Sequence, residues 1–137
     1  GMGRARRLVR GALLLVLGVA AYVRWAPEDA GRWRLTGRMG RPGGHAEAGG
    51  FRAVRVFEGN WGAVEAVLLA TPRTRALGGW DDQRLYVTRS ALWGFPDYST
   101  VRLADGQIEI YGRLRFGKSD LGVNQARIRN WLTDLKL

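Results

Sequence analysis

Residues Tyr98 to Phe116 constrain the architecture of this chain more tightly than any other stretch. Asp105-Gly106 is a two-residue hairpin signal, because both residue types tolerate positive φ. Ahead of it, Tyr98 to Ala104 is a strand that directs Val101 and Leu103 inward. After it, Gln107 to Phe116 places Ile108, Ile110, Leu114 and Phe116 on one face, with Glu109, Tyr111, Arg113 and Arg115 on the other. An antiparallel pair with one apolar face needs a cover, which must come from elsewhere in the chain.

Two amphipathic segments supply that cover. Asn60 caps a helix over Trp61 to Ala70, with Trp61, Val64, Val67 and Leu68 on one face, and Pro72 stops it. Ser119 or Asp120 caps a final helix whose Leu121, Ile128, Trp131, Leu132 and Leu135 form an apolar stripe. Three further strands complete the pattern. In Phe51 to Phe57, the residues Phe51, Ala53, Val54 and Val56 compete for the inner face. Arg73 to Leu77 is a weaker strand ending at Gly78-Gly79, and Arg84 to Ser90 carries Leu85 and Val87 inward. The order β-α-β-β-β-β-α predicts an α+β domain over residues 51–137, with an antiparallel sheet of about five strands and two helices in two layers. It matches the TATA-binding-protein-like arrangement of a curved sheet with two helices, an analogy of topology that carries no function.

Residues 1–25 have a different character. Gly11 to Val23 contains no charge and follows Arg4, Arg6, Arg7 and Arg10, the pattern of an export signal or membrane anchor. A helix over Leu8 to Trp25 would span roughly 27 Å, near the hydrocarbon thickness of a bilayer. That span requires Arg10 and Arg24 to snorkel, with Tyr22 and Trp25 at the interface. The uncharged run alone is short for a transmembrane helix, and Val19-Ala20-Ala21 offers small residues for cleavage. Glu28 and Asp29 follow Arg24 closely, so the positive-inside rule leaves everything after Trp25 outside the cytoplasm. The expected location is the inner membrane with the domain in the periplasm, or the periplasm alone after cleavage. Residues 26–50 are expected to be a flexible, glycine-rich tether, on which Trp33 and Leu35 form a short strand or dock on the domain.

Chemistry is easier to exclude than to assign. Without cysteine there are no disulfides, thiol nucleophiles or cysteine metal sites. His45, the one histidine, lies in the tether and makes neither a metal site nor a catalytic dyad. Asp81-Asp82 reads as a turn rather than an acid/base pair, so catalysis is poorly supported and no cofactor is implied. Gly112 to Ser119, GRLRFGKS, satisfies the P-loop expression. Its first glycine, however, falls inside a strand whose alternation runs on to Phe116, and an acidic partner for Mg²⁺ is missing. Nucleotide binding is therefore disfavoured. A simpler role is a strand end at Gly117, an exposed Lys118 and a helix cap at Ser119 and Asp120.

Of the net charge of +10, from twenty Arg and two Lys against twelve acidic residues, Arg4, Arg6, Arg7 and Arg10 belong to topology; the remainder reads first as a solvated basic surface and otherwise suits an anionic lipid or an acidic envelope partner. Nucleic acid ranks third. Two surfaces are candidates for binding. One is the aromatic loop Trp93, Phe95 and Asp97; the other is a small-ligand or anion site at the strand-to-helix junction, comprising Arg113, Arg115, Lys118, Ser119, Asp120, Asn124 and Arg127. Burial of the aromatics would count against the first. The second requires a pocket that joins Asp120, Asn124, Arg113 and Arg115.

WGFPDYSTVR followed by RLRFGKSDLGVNQARIRNWL resembles a bacterial family catalogued as domain of unknown function 1499. The similarity covers roughly Phe51 to Leu137. Trp93, Pro96, Asp97, Arg115, Gly117, Ser119, Asp120, Gly122, Asn124 and Arg127 match its motifs. The family carries arginine at the position of Lys118, which fits poorly with a required P-loop lysine. The resemblance implies an N-terminal hydrophobic segment and an envelope location. It implies no reaction, cofactor or catalytic residue.

Overall fold

Six strands form one antiparallel sheet in the order β1-β2-β6-β5-β4-β3. They are β1 (Gly43–Glu47), β2 (Gly50–Val56), β3 (Thr74–Trp80), β4 (Gln83–Arg89), β5 (Pro96–Ala104) and β6 (Gln107–Leu114). The helices are α1 (Met2–Trp25), α2 (Trp61–Leu68) and α3 (Val123–Asp134), with a 3-10 turn at Ala30–Trp33. This computed structural model describes residues 2–25 and 30–137. Glu28 and Asp29, on which the expected orientation turns, lie outside the described residues, as do the side chains of Arg24 and Trp25. Among the described residues no helix is long and apolar enough to cross a membrane.

The central hairpin follows its turn chemistry. Asp105 and Gly106 both have positive φ, 54° and 70°, the type I′ geometry whose twist suits two antiparallel strands. Asn60 caps α2, its side chain accepting from the Ala63 N–H at 3.0 Å. Both α2 and α3 pack on one face of the sheet, where Val64, Leu68, Ile128, Trp131 and Leu132 meet Phe51, Ala53, Tyr86, Val101, Ile108 and Ile110. Gly112 lies within β6, and a Cβ there would come within 2.7 Å of the Asn124 Oδ1. The glycine lets α3 approach the sheet closely.

The second face departs from expectation. Where a glycine-rich tether is expected, residues 30–50 contain a 3-10 turn, a strand and buried side chains packed on the sheet. Trp33, 5 % exposed, stacks on Tyr98 with ring centroids 4.3 Å apart, and Leu35 is buried beside it. Residues 43–47 add the sixth strand by pairing with β2. Because both faces are covered, alternation does not identify the helix side. Leu85 and Val87 pack against Trp33, whereas Tyr86 between them faces the helices. Val54 is buried on the opposite face from Phe51 and Ala53, and Val56 is exposed.

Polar side chains on this face bind the backbone of the preceding segment. The Gln83 amide accepts from the Leu35 N–H at 2.8 Å and donates to the Leu35 carbonyl at 2.7 Å. Thr100 Oγ1 and Arg113 Nη2 both donate to the Trp33 carbonyl, at 2.7 and 2.8 Å. Glu109, 0 % exposed, accepts from Arg102 Nη2 at 2.6 Å, Arg52 Nη1 at 3.3 Å and the Gly40 N–H at 3.0 Å. Arg102 also donates to the carbonyls of Gly37 and Arg38. A buried carboxylate is tolerated here because cations and a backbone donor meet it.

Two local expectations are corrected. Gly78-Gly79 does not end β3; the register shifts between Ala76 and Gly78, and the strand continues to Trp80. A Cβ on Gly79 would lie 2.4 Å from the Gln83 carbonyl oxygen, so the close backbone approach there suits glycine. Leu121 is 92 % exposed with φ 54°, in the turn ahead of α3 and outside its apolar stripe.

Candidate functional site

The sheet end that carries the β4–β5 loop also carries the α2–β3 turn and the β6–α3 connection. Register sets this meeting. Thr74 pairs with Thr88, Thr88 with Asp97, and Asp97 with Leu114. Between these loops and the start of α3 lies an open cleft of about 640 Å³. Pro72, Phe95, Leu114, Phe116 and Val123 form its apolar walls; Arg73, Arg89, Asp97, Asp120 and Arg127 bring charge to it.

Its floor is a compact polar network. Arg127 donates from Nη1 and Nη2 to Asp97 Oδ2, both at 3.2 Å, and from Nη1 to Asn124 Oδ1 at 3.1 Å. Asn124, fully buried, donates its amide to Asp120 Oδ2 at 2.9 Å. Asp120 further accepts from the backbone N–H groups of Gly122 and Asn124, which caps the turn leading into α3. Ser119 Oγ accepts from the Leu121 N–H. Trp131 Nε1 donates to Thr71 Oγ1 at 2.7 Å and ties α3 to the far wall.

The two carboxylates shift in opposite directions. Burial pushes Asp97 up, and Arg127 only partly offsets it. Burial also pushes Asp120 up, but hydrogen bonds from Asn124 and the Gly122 N–H outweigh it and hold the carboxyl below its ordinary range. Asp120 therefore contributes stability that is full above the unfolded carboxylate pKa and is lost as pH falls through the folded one. For Asp97 the contribution is full below the unfolded pKa and declines as pH rises through the raised one. Thermal melts across pH should show Asp120→Asn losing part of the decline below about pH 4, and Asp97→Asn losing part of the fall above it. Unchanged slopes in both variants would rule out this assignment.

The candidate residues do not form a single site. Phe95, Asp97, Ser119, Asp120 and Arg127 line the cleft, with Asn124 beneath. Arg113 is on the other face of the sheet, its guanidinium between the rings of Trp33 and Tyr111 at 4.8 and 4.3 Å. Burial pulls its pKa down to about 10. Arg115 lies over the Phe116 ring, and Lys118 is exposed on the connection. The pocket expected to join Arg113 and Arg115 to Asp120 and Asn124 is therefore not assembled, because alternation sends Arg113 to the Trp33 face. Trp93 and Phe95 are 43 % and 45 % exposed. They line an apolar groove with Leu15, Val16 and Val19 of α1, and the Tyr22 ring meets Phe116 edge-on at 6.2 Å.

Thr71, Arg73, Thr88 and Arg89 enter the cleft without any warning in sequence spacing, since only the register of β3 and β4 brings them there. Among the described residues no three His, Asp or Glu side chains are placed to share a metal ion. No curated protein matches the chain. The model of the family described as "Protein of unknown function (DUF1499)" matches residues 51–135, a range containing the cleft floor and every residue that lines its walls. The chain belongs to this family of proteins of unknown function.

Proposed function

We propose that the protein is a non-catalytic binding or accessory module of the bacterial envelope. In this reading α1 holds it at the inner membrane with the domain in the periplasm, or serves as a signal whose removal releases the domain there. The carrying observation is the exposure of Trp93 and Phe95 beside α1. Aromatic side chains at one end of a domain, next to an apolar helix, suit the water–lipid boundary. Leu13, Leu14, Leu15 and Leu17 of α1 are also exposed, after the arginines at 4, 6, 7 and 10. The basic surface suits anionic lipid or an acidic envelope protein.

Cell fractionation with protease accessibility tests the placement, and vesicle flotation tests the surface. The full chain should float with phosphatidylglycerol vesicles and bind them more weakly as Trp93→Ser/Phe95→Ser. A chain found only in the cytoplasmic soluble fraction would overturn the envelope reading; a double variant floating like the parent would remove the aromatic loop from the contact surface.

A further inference from the structure

We propose that the cleft is a binding site for a small anionic amphiphile, with a carboxylate or phosphate head and a short apolar body. The inference rests on the envelope reading for the source of the ligand. The geometry of the cleft supports it separately.

A volume of about 640 Å³ lies within the usual range of small-molecule sites. The charges in the cleft are not equivalent. Asp97 and Arg127 bind each other, and Asp120 is occupied by the Gly122 and Asn124 donors. Arg73 anchors its Nε on the Arg89 carbonyl at 3.0 Å and has no carboxylate partner among the described residues. With Arg127 held by Asp97 and Asp120 by its own backbone and amide donors, Arg73 is the cation in the cleft that an anion would meet. Facing it, Phe95, Leu114, Phe116 and Val123 present apolar surface that a bare inorganic anion would leave in water. An anionic head beside Arg73 with an apolar body against these side chains satisfies both halves.

The position of the cleft matches such a ligand. Phe116 in its wall touches Tyr22 of α1, and Phe95 belongs both to the cleft and to the groove with Leu15, Val16 and Val19. The entrance is therefore beside the apolar helix, where lipid-derived molecules would be concentrated.

The test uses the full chain in phosphatidylcholine nanodiscs and a diazirine-bearing octanoate, with the labelled peptides mapped by mass spectrometry. Label is expected saturably within residues 71–73, 95–97 and 114–123. Octanoate and octyl phosphate should displace it; octanol and octylammonium should not. Arg73→Gln, an exposed change, should weaken labelling about tenfold, and Val123→Trp should block it by filling the wall. Displacement when phosphatidylglycerol is added to the discs assigns a lipid headgroup as the source; persistence of the label assigns a free amphiphile. Equal displacement by octanol, preference for octylammonium, or label confined to α1 would overturn the proposal. Vesicle flotation with no label in the cleft would sink this proposal alone, whereas cleft labelling of a chain that cells keep only in the cytoplasmic soluble fraction would sink the envelope reading alone.

Discussion

Replacing Glu109 with alanine should cost about 3–5 kcal/mol of stability, because it strands Arg102 in a buried site without its counter-charge. Arg102 Nη2 lies 2.6 Å from the carboxylate, and both side chains are almost wholly removed from solvent. The change should also release the preceding segment, since the Gly40 N–H loses its acceptor and Arg102 its fixed position beneath the carbonyls of Gly37 and Arg38. Urea unfolding measures the first effect. Amide exchange and tryptic cutting after Arg38 or Arg41 measure the second. Glu109→Gln keeps the shape and one acceptor, so it should retain more of the segment's protection than the alanine variant. Equal stability of wild type and Glu109→Ala would show that the network is not what holds residues 37–40.

Trp33→Ala should have a similar effect, about 3–5 kcal/mol, the usual cost of deleting a large buried aromatic. The indole stacks on Tyr98, lies under the Arg113 guanidinium, and closes a cluster with Leu85 and Val87. This residue stands outside the matched range of 51–135. Trp93→Ala, on an exposed loop, should change stability little and provides the internal comparison. Thermal melts of the two variants decide the matter: comparable midpoints would mean that Trp33 does not belong to the folding unit.

The elements with strong local chemistry were legible in the sequence. Asp105-Gly106 set the hairpin, Asn60 started α2, which ends at Leu68 rather than at the expected Ala70, and Ile128, Trp131 and Leu132 marked the buried side of α3. The missing strand β1 is Gly-Gly-His-Ala-Glu, which offers no apolar alternation; backbone pairing to β2 is what orders it. The covered second face was hidden for a related reason. Gln83, Thr100, Arg102 and Glu109 look like solvent-facing strand residues, yet their polar groups satisfy the backbone and charges of residues 33–40. Polar side chains that bury themselves by pairing with a loop are indistinguishable, one residue at a time, from those that hydrate. At the candidate site, Ser119 or Asp120 was the expected helix cap; the N-cap is instead Gly122, with φ 80° and no side-chain cap, and Asp120 holds the turn before it through the N–H groups of Gly122 and Asn124. The link from Asp120 through Asn124 and Arg127 to Asp97 crosses two elements and depends on how α3 lies over β5.

The short strand β1 also bears on how the molecule avoids sticking to copies of itself. It occupies the outer side of β2, whose seven residues would otherwise present a row of open N–H and C=O groups. Being only five residues long, with two glycines and a glutamate, β1 is a poor template for a further strand. Trimming the chain to its matched residues would replace this blunt border with the longer margin of β2. It would also bare Val54, Leu85 and Val87 on the adjoining face. A fragment cut in that way should form more strand-paired oligomer than the full chain, whose remaining long edge, β3, is interrupted by the register shift between Ala76 and Gly78.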